Sequence, residues 1–142
     1  MSYREKLAWL TVVGMAVCYG PYFAFTYRSP LLDRPLPNLE LMALFAWAAG
    51  GNAVWTLVGR LVLRVTTPRD ERGPPDERDL AIDHRASRVA YYVLMGLALY
   101  VGGVLPFTTS GWHIVNAMVA SVVIALFVQQ VLTVTGYRRG LR

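Results

Sequence analysis

Four long apolar stretches, none holding an acidic residue, constrain this chain more than any other feature: Leu7–Tyr27, Leu41–Gly59, Val89–Phe107 and Trp112–Thr135. Each reaches roughly 19 residues or more, enough for a helix to cross a hydrocarbon core of about 30 Å. The stretches are apolar all round rather than striped, which suits lipid or the middle of a large core. A chain of 142 residues is too short to hide four such helices from water. With 55% of its residues hydrophobic, it is expected to be an all-α, four-helix transmembrane bundle. Residues 1–142 form a single integral domain, with helices at about 7–27, 41–64, 77–107 and 112–135.

Basic residues are spread unevenly around these stretches. Arg4 and Lys6 precede the first, and Arg138, Arg139 and Arg142 follow the fourth. Arg60, Arg64, Arg69, Arg72, Arg78, Arg85 and Arg88 flank or fill the segment between the second and third. Only Arg28 and Arg34 lie between the first and second, and none lies between the third and fourth. By the positive-inside rule, twelve against two places both termini and the loop at about 65–76 in the cytoplasm of a multi-pass inner-membrane protein. The same placement assigns the net charge of +5 to anionic lipid headgroups rather than to nucleic acid. The first stretch is long and no A-x-A site precedes Tyr27, so it reads as a retained helix and not a cleaved signal.

The connections carry their own signals. Pro30, Pro35 and Pro37 stiffen the first outer loop, Arg28–Asn38. Glu40 suits the positive end of the second helix. The outer turn Thr108–Gly111 is short enough to make helices three and four a tight hairpin. Trp9, Tyr91, Tyr92 and Tyr137 on the inner side, and Tyr27 and Trp112 on the outer, fit interfacial aromatic belts.

Polar chemistry gathers in two places. Asp76 is placed to cap the third helix, with Asp79 three residues on as the second half of a capping box. That helix is expected to begin about three turns before the membrane and so to extend into the cytoplasm. Its charges, together with Arg60 and Arg64 at the end of helix two, form a cluster facing a partner or lipid: Arg60, Arg64, Asp76, Glu77, Asp79, Asp83, Arg85 and Arg88. Arg60 and Arg64 lie on one helix face and are expected either to meet Asp79 or Asp83 or to be solvated separately. The second place is an outer-half cavity made from Tyr19, Tyr22, Asn52, Tyr100, His113 and Asn116, beside a kink at Pro21. The competing reading of those residues is isolated interhelical hydrogen bonds. Gln129 and Gln130 are expected to diverge, one facing the bundle and the other the headgroups. Small residues at four-residue spacing, Ala46 and Gly50 in helix two and Ala117, Ser121 and Ala125 in helix four, allow close packing within the chain or across a homodimer.

Enzymatic readings find little support. The two histidines, His84 and His113, fall on opposite sides of the membrane, which disfavours a metal or a bis-histidine haem. The single cysteine, Cys18, excludes a paired-thiol redox enzyme and reads as a packing residue. No cofactor is expected. The lead expectation is a non-enzymatic regulatory, accessory or immunity-type protein that uses its charged cytoplasmic face. Its partners would be the bilayer, a second copy, or a membrane or cytoplasmic protein. The alternative is a small oligomeric multidrug- or lipid-type transporter, weakened by the absence of a carboxylate in the spans.

The segment Asp76-Glu77-Arg78-Asp79-x-x-Ile82-x-x-Arg85-Ala86-x-Arg88-x-Ala90-Tyr91 resembles the signature of an uncharacterised prokaryotic family, bacterial and archaeal. Its members are small four-helix predicted membrane proteins of unknown function. The resemblance covers roughly residues 76–95 and the overall layout. It implies the fold and a charged entry to helix three, and supplies no catalytic residue or substrate.

Overall fold

The computed structural model describes residues 3–68, 74, 76–109 and 111–139. Four helices account for most of them: α1 (Tyr3–Arg28), α2 (Leu39–Thr66), α3 (Glu77–Gly103) and α4 (Trp112–Arg139). Short 3-10 turns lie at Pro30–Asp33 and Leu105–Phe107, and no strand occurs among the described residues. All four helices are long and apolar enough to cross a membrane. Much of the loop expected between α2 and α3, residues 69–73 and 75, lies outside the described residues.

The helix ends follow local chemistry. Asn38 caps α2: its Oδ1 accepts from the Leu41 amide at 3.1 Å, and its Nδ2 donates to the Leu31 carbonyl at 2.6 Å. Asp76 and Asp79 form both halves of the expected capping box: the Asp79 amide donates to Asp76 Oδ1 at 2.7 Å and the Asp76 amide to Asp79 Oδ2 at 3.3 Å. Expected as one helix to Phe107, the third helix instead leaves α geometry after Gly103 and tightens into a 3-10 turn at Pro106, which has no N–H for the α pattern. Proline acts differently at Pro21, where α1 continues as one helix and the residue is exposed.

In packing order the helices run α2, α1, α4, α3. Helix α1 packs along α2 and α4, and α3 packs along α4. The first and last helices are central, and the middle two form the flanks. Burial follows: 28% of the most apolar window of α1 is buried, against 11% for each of α2 and α3. Helix α2 buries Leu41 and Ala48 but exposes Met42, Trp47, Leu57, Leu61 and Val65.

Three glycines allow close approaches between helices, and at Gly59 of α2 an added Cβ would run into the Leu10 side chain of α1. A Cβ on Gly14 would lie 2.8 Å from Trp55 Nε1, which donates across the α1–α2 contact to the Leu10 carbonyl at 3.0 Å. A Cβ on Gly136 would lie 2.8 Å from Ile82 Cγ2, where α4 meets α3. The small residues divide by helix. Ser121 and Ala125 of α4 are buried, whereas Ala46 and Gly50 of α2 are exposed. The α4 stripe is used inside the chain because α4 has neighbours on both sides. The same geometry keeps both glutamines within the protein: Gln129 Nε2 donates to Ser87 Oγ on α3 at 2.9 Å, while Gln130 lines a cleft beside α1 and α2. At the end away from the termini, Tyr22, Leu32, Leu41 and Ala48 form a small core, with Phe23 and Phe45 edge-on to Tyr22 at 5.0 and 5.9 Å.

Candidate functional sites

Helix direction brings the start of α1, the start of α3 and the end of α4 to one end of the molecule, and a clasp of charged groups joins them. Neighbouring residues of α1 reach in different directions. Arg4 Nε meets Asp79 Oδ2 on α3 at 3.1 Å, and Glu5 Oε1 meets Arg138 Nε on α4 at 3.4 Å. Neighbouring residues of α4 answer them: the Tyr137 hydroxyl donates to Asp79 Oδ1 at 2.9 Å, and the Arg138 guanidinium lies 5.1 Å from the centre of the Trp9 ring. Glu5 and Trp9 are four apart on α1 and so share a face, which lets one arginine touch a carboxylate and an aromatic ring together. Asp79 thus serves the capping box, the Arg4 ion pair and the Tyr137 hydrogen bond.

Of the two alternatives for Arg60 and Arg64, an ion pair with Asp79 or Asp83 is not formed among the described residues. Asp79 takes Arg4 and Tyr137 as partners because α2 lies on the far side of α1 from α3. Arg60 and Arg64 are exposed on α2. Asp76, Glu77, Asp83, Arg85 and Arg88 are exposed along the first three turns of α3, so the predicted cluster divides into a fixed Asp76–Asp79 pair and an outward charged face. The sequence reading missed Arg4, Glu5 and Arg138 as partners. The signal was an Arg4-Glu5-Lys6 alternation at one terminus opposite Arg138-Arg139 at the other, which both-termini-together topology places side by side.

The residues expected to line an outer cavity separate into four environments. Tyr19 and Asn52 line a cleft of about 390 Å³ between α2 and α4, floored by α1, together with Thr11, Thr56 and Gln130. Tyr22 and Asn116 line an adjoining, more apolar cavity of about 350 Å³; Phe45 and Val119 line both. There the Tyr22 hydroxyl donates to Asn116 Oδ1 at 2.8 Å, and Asn116 is 2% exposed. Among the described residues, Asn116 Nδ2 and Asn52 Oδ1 are buried without a hydrogen-bond partner. Such groups normally find one. His113 belongs elsewhere: its Nε2 lies 2.9 Å from Asp33 Oδ1, tying α4 to the first 3-10 turn beside an Arg34–Glu40 ion pair. Tyr100 is exposed on α3, a helix that lines neither cavity, and Pro21 is exposed on α1.

No three His, Cys, Asp or Glu side chains gather into a metal-ligand set among the described residues. Comparison with protein-family models, with curated proteins and with solved structures finds no match to the chain.

Proposed function

We propose that this is a multi-pass protein of the cytoplasmic membrane, with both termini inside, that acts without catalysis by presenting its charged inner end to a protein partner. The observation that carries this reading is the clasp. It fixes the first turns of α3 against both terminal helices, through Arg4–Asp79, Tyr137–Asp79 and Glu5–Arg138. An ordered base leaves Glu77 and Asp83 exposed on a helix whose own end is held in place. Membrane embedding accounts for the exposed apolar side chains of α2 and α3, from Trp47 and Leu57 to Tyr92 and Leu99, which water would penalise. The resemblance over residues 76–95 falls on this same helix entry.

The test is capture from native membranes with the full-length protein as bait. Replacing Glu77 and Asp83 together by lysine is expected to lower recovery of the specific partner by at least about tenfold, the scale of one or two desolvated charge contacts. Membrane abundance of the variant should be unchanged. Equal recovery at equal abundance would rule the charged face out.

The polar cleft supports a second reading, a small transporter for an amphiphile. Thr11, Asn52, Thr56 and Gln130 line it within helices apolar enough to span, and polar groups at that depth are costly unless used. Asn52→Leu is then expected to reduce substrate-dependent flux in reconstituted vesicles several-fold while leaving partner capture intact. Flux that is absent from the wild-type protein, or indifferent to this change, would remove the reading.

A further inference from the structure

A groove of about 200 Å³ runs between α3 and α4 near the termini end, lined on one side by Arg85 and Val89 and on the other by Leu132, Thr135 and Arg139. Its two arginines occupy equivalent levels on antiparallel helices. Arg85 lies one turn before the apolar stretch that begins at Val89, and Arg139 lies one turn after the stretch that ends at Thr135. One turn is about 5.4 Å. Both guanidiniums are therefore rooted just beyond the apolar edge, with apolar side chains continuing below them.

Two of the acids at this end are engaged away from the groove, and Asp83 is exposed on α3 outside its lining. Asp79 is taken by Arg4 and Tyr137, and Glu5 by Arg138. No ion pair is present for Arg85 or Arg139 among the described residues. The Thr135 hydroxyl donates to its own helix, at the Leu132 carbonyl, 3.0 Å away. Donor capacity in the groove is thus guanidinium, and its charge is positive. Guanidinium presents a planar fork of donors that matches phosphate oxygens two at a time.

We infer that this groove is a binding site for an anionic phospholipid, whose phosphate sits between Arg85 and Arg139 and whose acyl chain lies against Val89 and Leu132. Charge complementarity and depth select this occupant: a phosphate at the level where headgroup phosphates lie, above a surface that water does not favour. The inference rests on the membrane-embedded reading but not on the protein-partner one.

Native mass spectrometry of the detergent-solubilised full-length protein, offered phosphatidylglycerol and phosphatidylcholine in equal amounts, tests it. The wild-type protein is expected to retain phosphatidylglycerol preferentially. Joint replacement Arg85→Gln and Arg139→Gln should reduce that preference on the order of tenfold or more, consistent with two headgroup-level cations. Arg88→Gln removes a nearby charge outside the groove and should leave most of the preference. Equal losses in the two variants would mean diffuse surface attraction and overturn the site. Retention of inorganic phosphate by lipid-free protein, dependent on Arg85 and Arg139 and displacing the lipid, would make the ligand a soluble one and overturn the lipid assignment. Carbonate extraction of membranes carrying each variant separates loss of the site from loss of insertion. Wild-type protein released by carbonate would overturn the embedded reading itself.

Discussion

Gly14→Leu is expected to detach α2 from the rest of the molecule. Trp55 occupies the space a larger side chain would need, and it is held there by its bond to the Leu10 carbonyl. Moving the indole aside costs that bond, and leaving it in place forces the two backbones apart. Overpacking of this kind costs about 1–3 kcal/mol. The effect is concentrated because α1 is the only other long helix along which α2 packs extensively. A built-in reporter is available: a Cβ on Gly51 would lie 3.7 Å from the sulfur of Cys18, the only cysteine of the chain. Gly51→Cys should therefore form a disulfide with Cys18 under mild oxidation. Adding Gly14→Leu should lower the cross-linked fraction by about fivefold or more, the scale of that energy. Gly50→Leu, on an open face where a Cβ meets nothing within 4 Å, should leave cross-linking unchanged. Undiminished cross-linking in the Gly14 variant would refute the close crossing.

The second large effect is expected at Asp79. Its replacement by alanine removes half of the α3 capping box, the acceptor for Tyr137 and the partner of Arg4. The Asp79 side chain is 20% exposed and that of Arg4 37%, so solvent screens the ion pair and its share is well under 1 kcal/mol. The hydrogen bond to a charged acceptor is worth about 1.5 kcal/mol and the box about half to one. Reversible unfolding in mixed micelles should show a loss of about 2 kcal/mol. Asp83→Ala, one turn on and exposed, should cost no more than about 0.5 kcal/mol. A double-mutant cycle of Asp79→Ala with Tyr137→Phe should reveal coupling of about 1 kcal/mol. Equal losses at Asp79 and Asp83 would show that the clasp contributes nothing to holding the helices.

Helix number and position were legible because hydropathy and length act locally. Leu7–Tyr27 lies within α1, and Leu41–Gly59 within α2, with added turns that carry Arg4, Glu5, Arg60 and Arg64. Capping by Asp76 and Asp79 was legible for the same reason, since three-residue spacing decides it. Neighbour choice was not. Four stretches that are apolar all round carry no stripe to say which face meets which partner, so the sequence left Arg60 and Arg64 as candidate partners for Asp79. The informative residues were glycines at Gly14 and Gly136, whose meaning depends on Trp55 and Ile82 far along the chain. Asn52 and Asn116 were identified as polar groups within apolar spans, but their separation into adjoining cavities follows from the central place of α1.

The helix order also bears on biogenesis. The chain is two hairpins, α1 with α2 and α3 with α4, and the seam between them is made by the first and last helices. Every long-range polar bond described for that seam, from Arg4–Asp79 and Glu5–Arg138 to Tyr22–Asn116, joins residues on opposite halves. During synthesis α1 must wait, with the Tyr22 hydroxyl not yet bonded to Asn116, until α4 has entered beside it. Assembly of the bundle thus waits on α4, the last of its four helices to be translated.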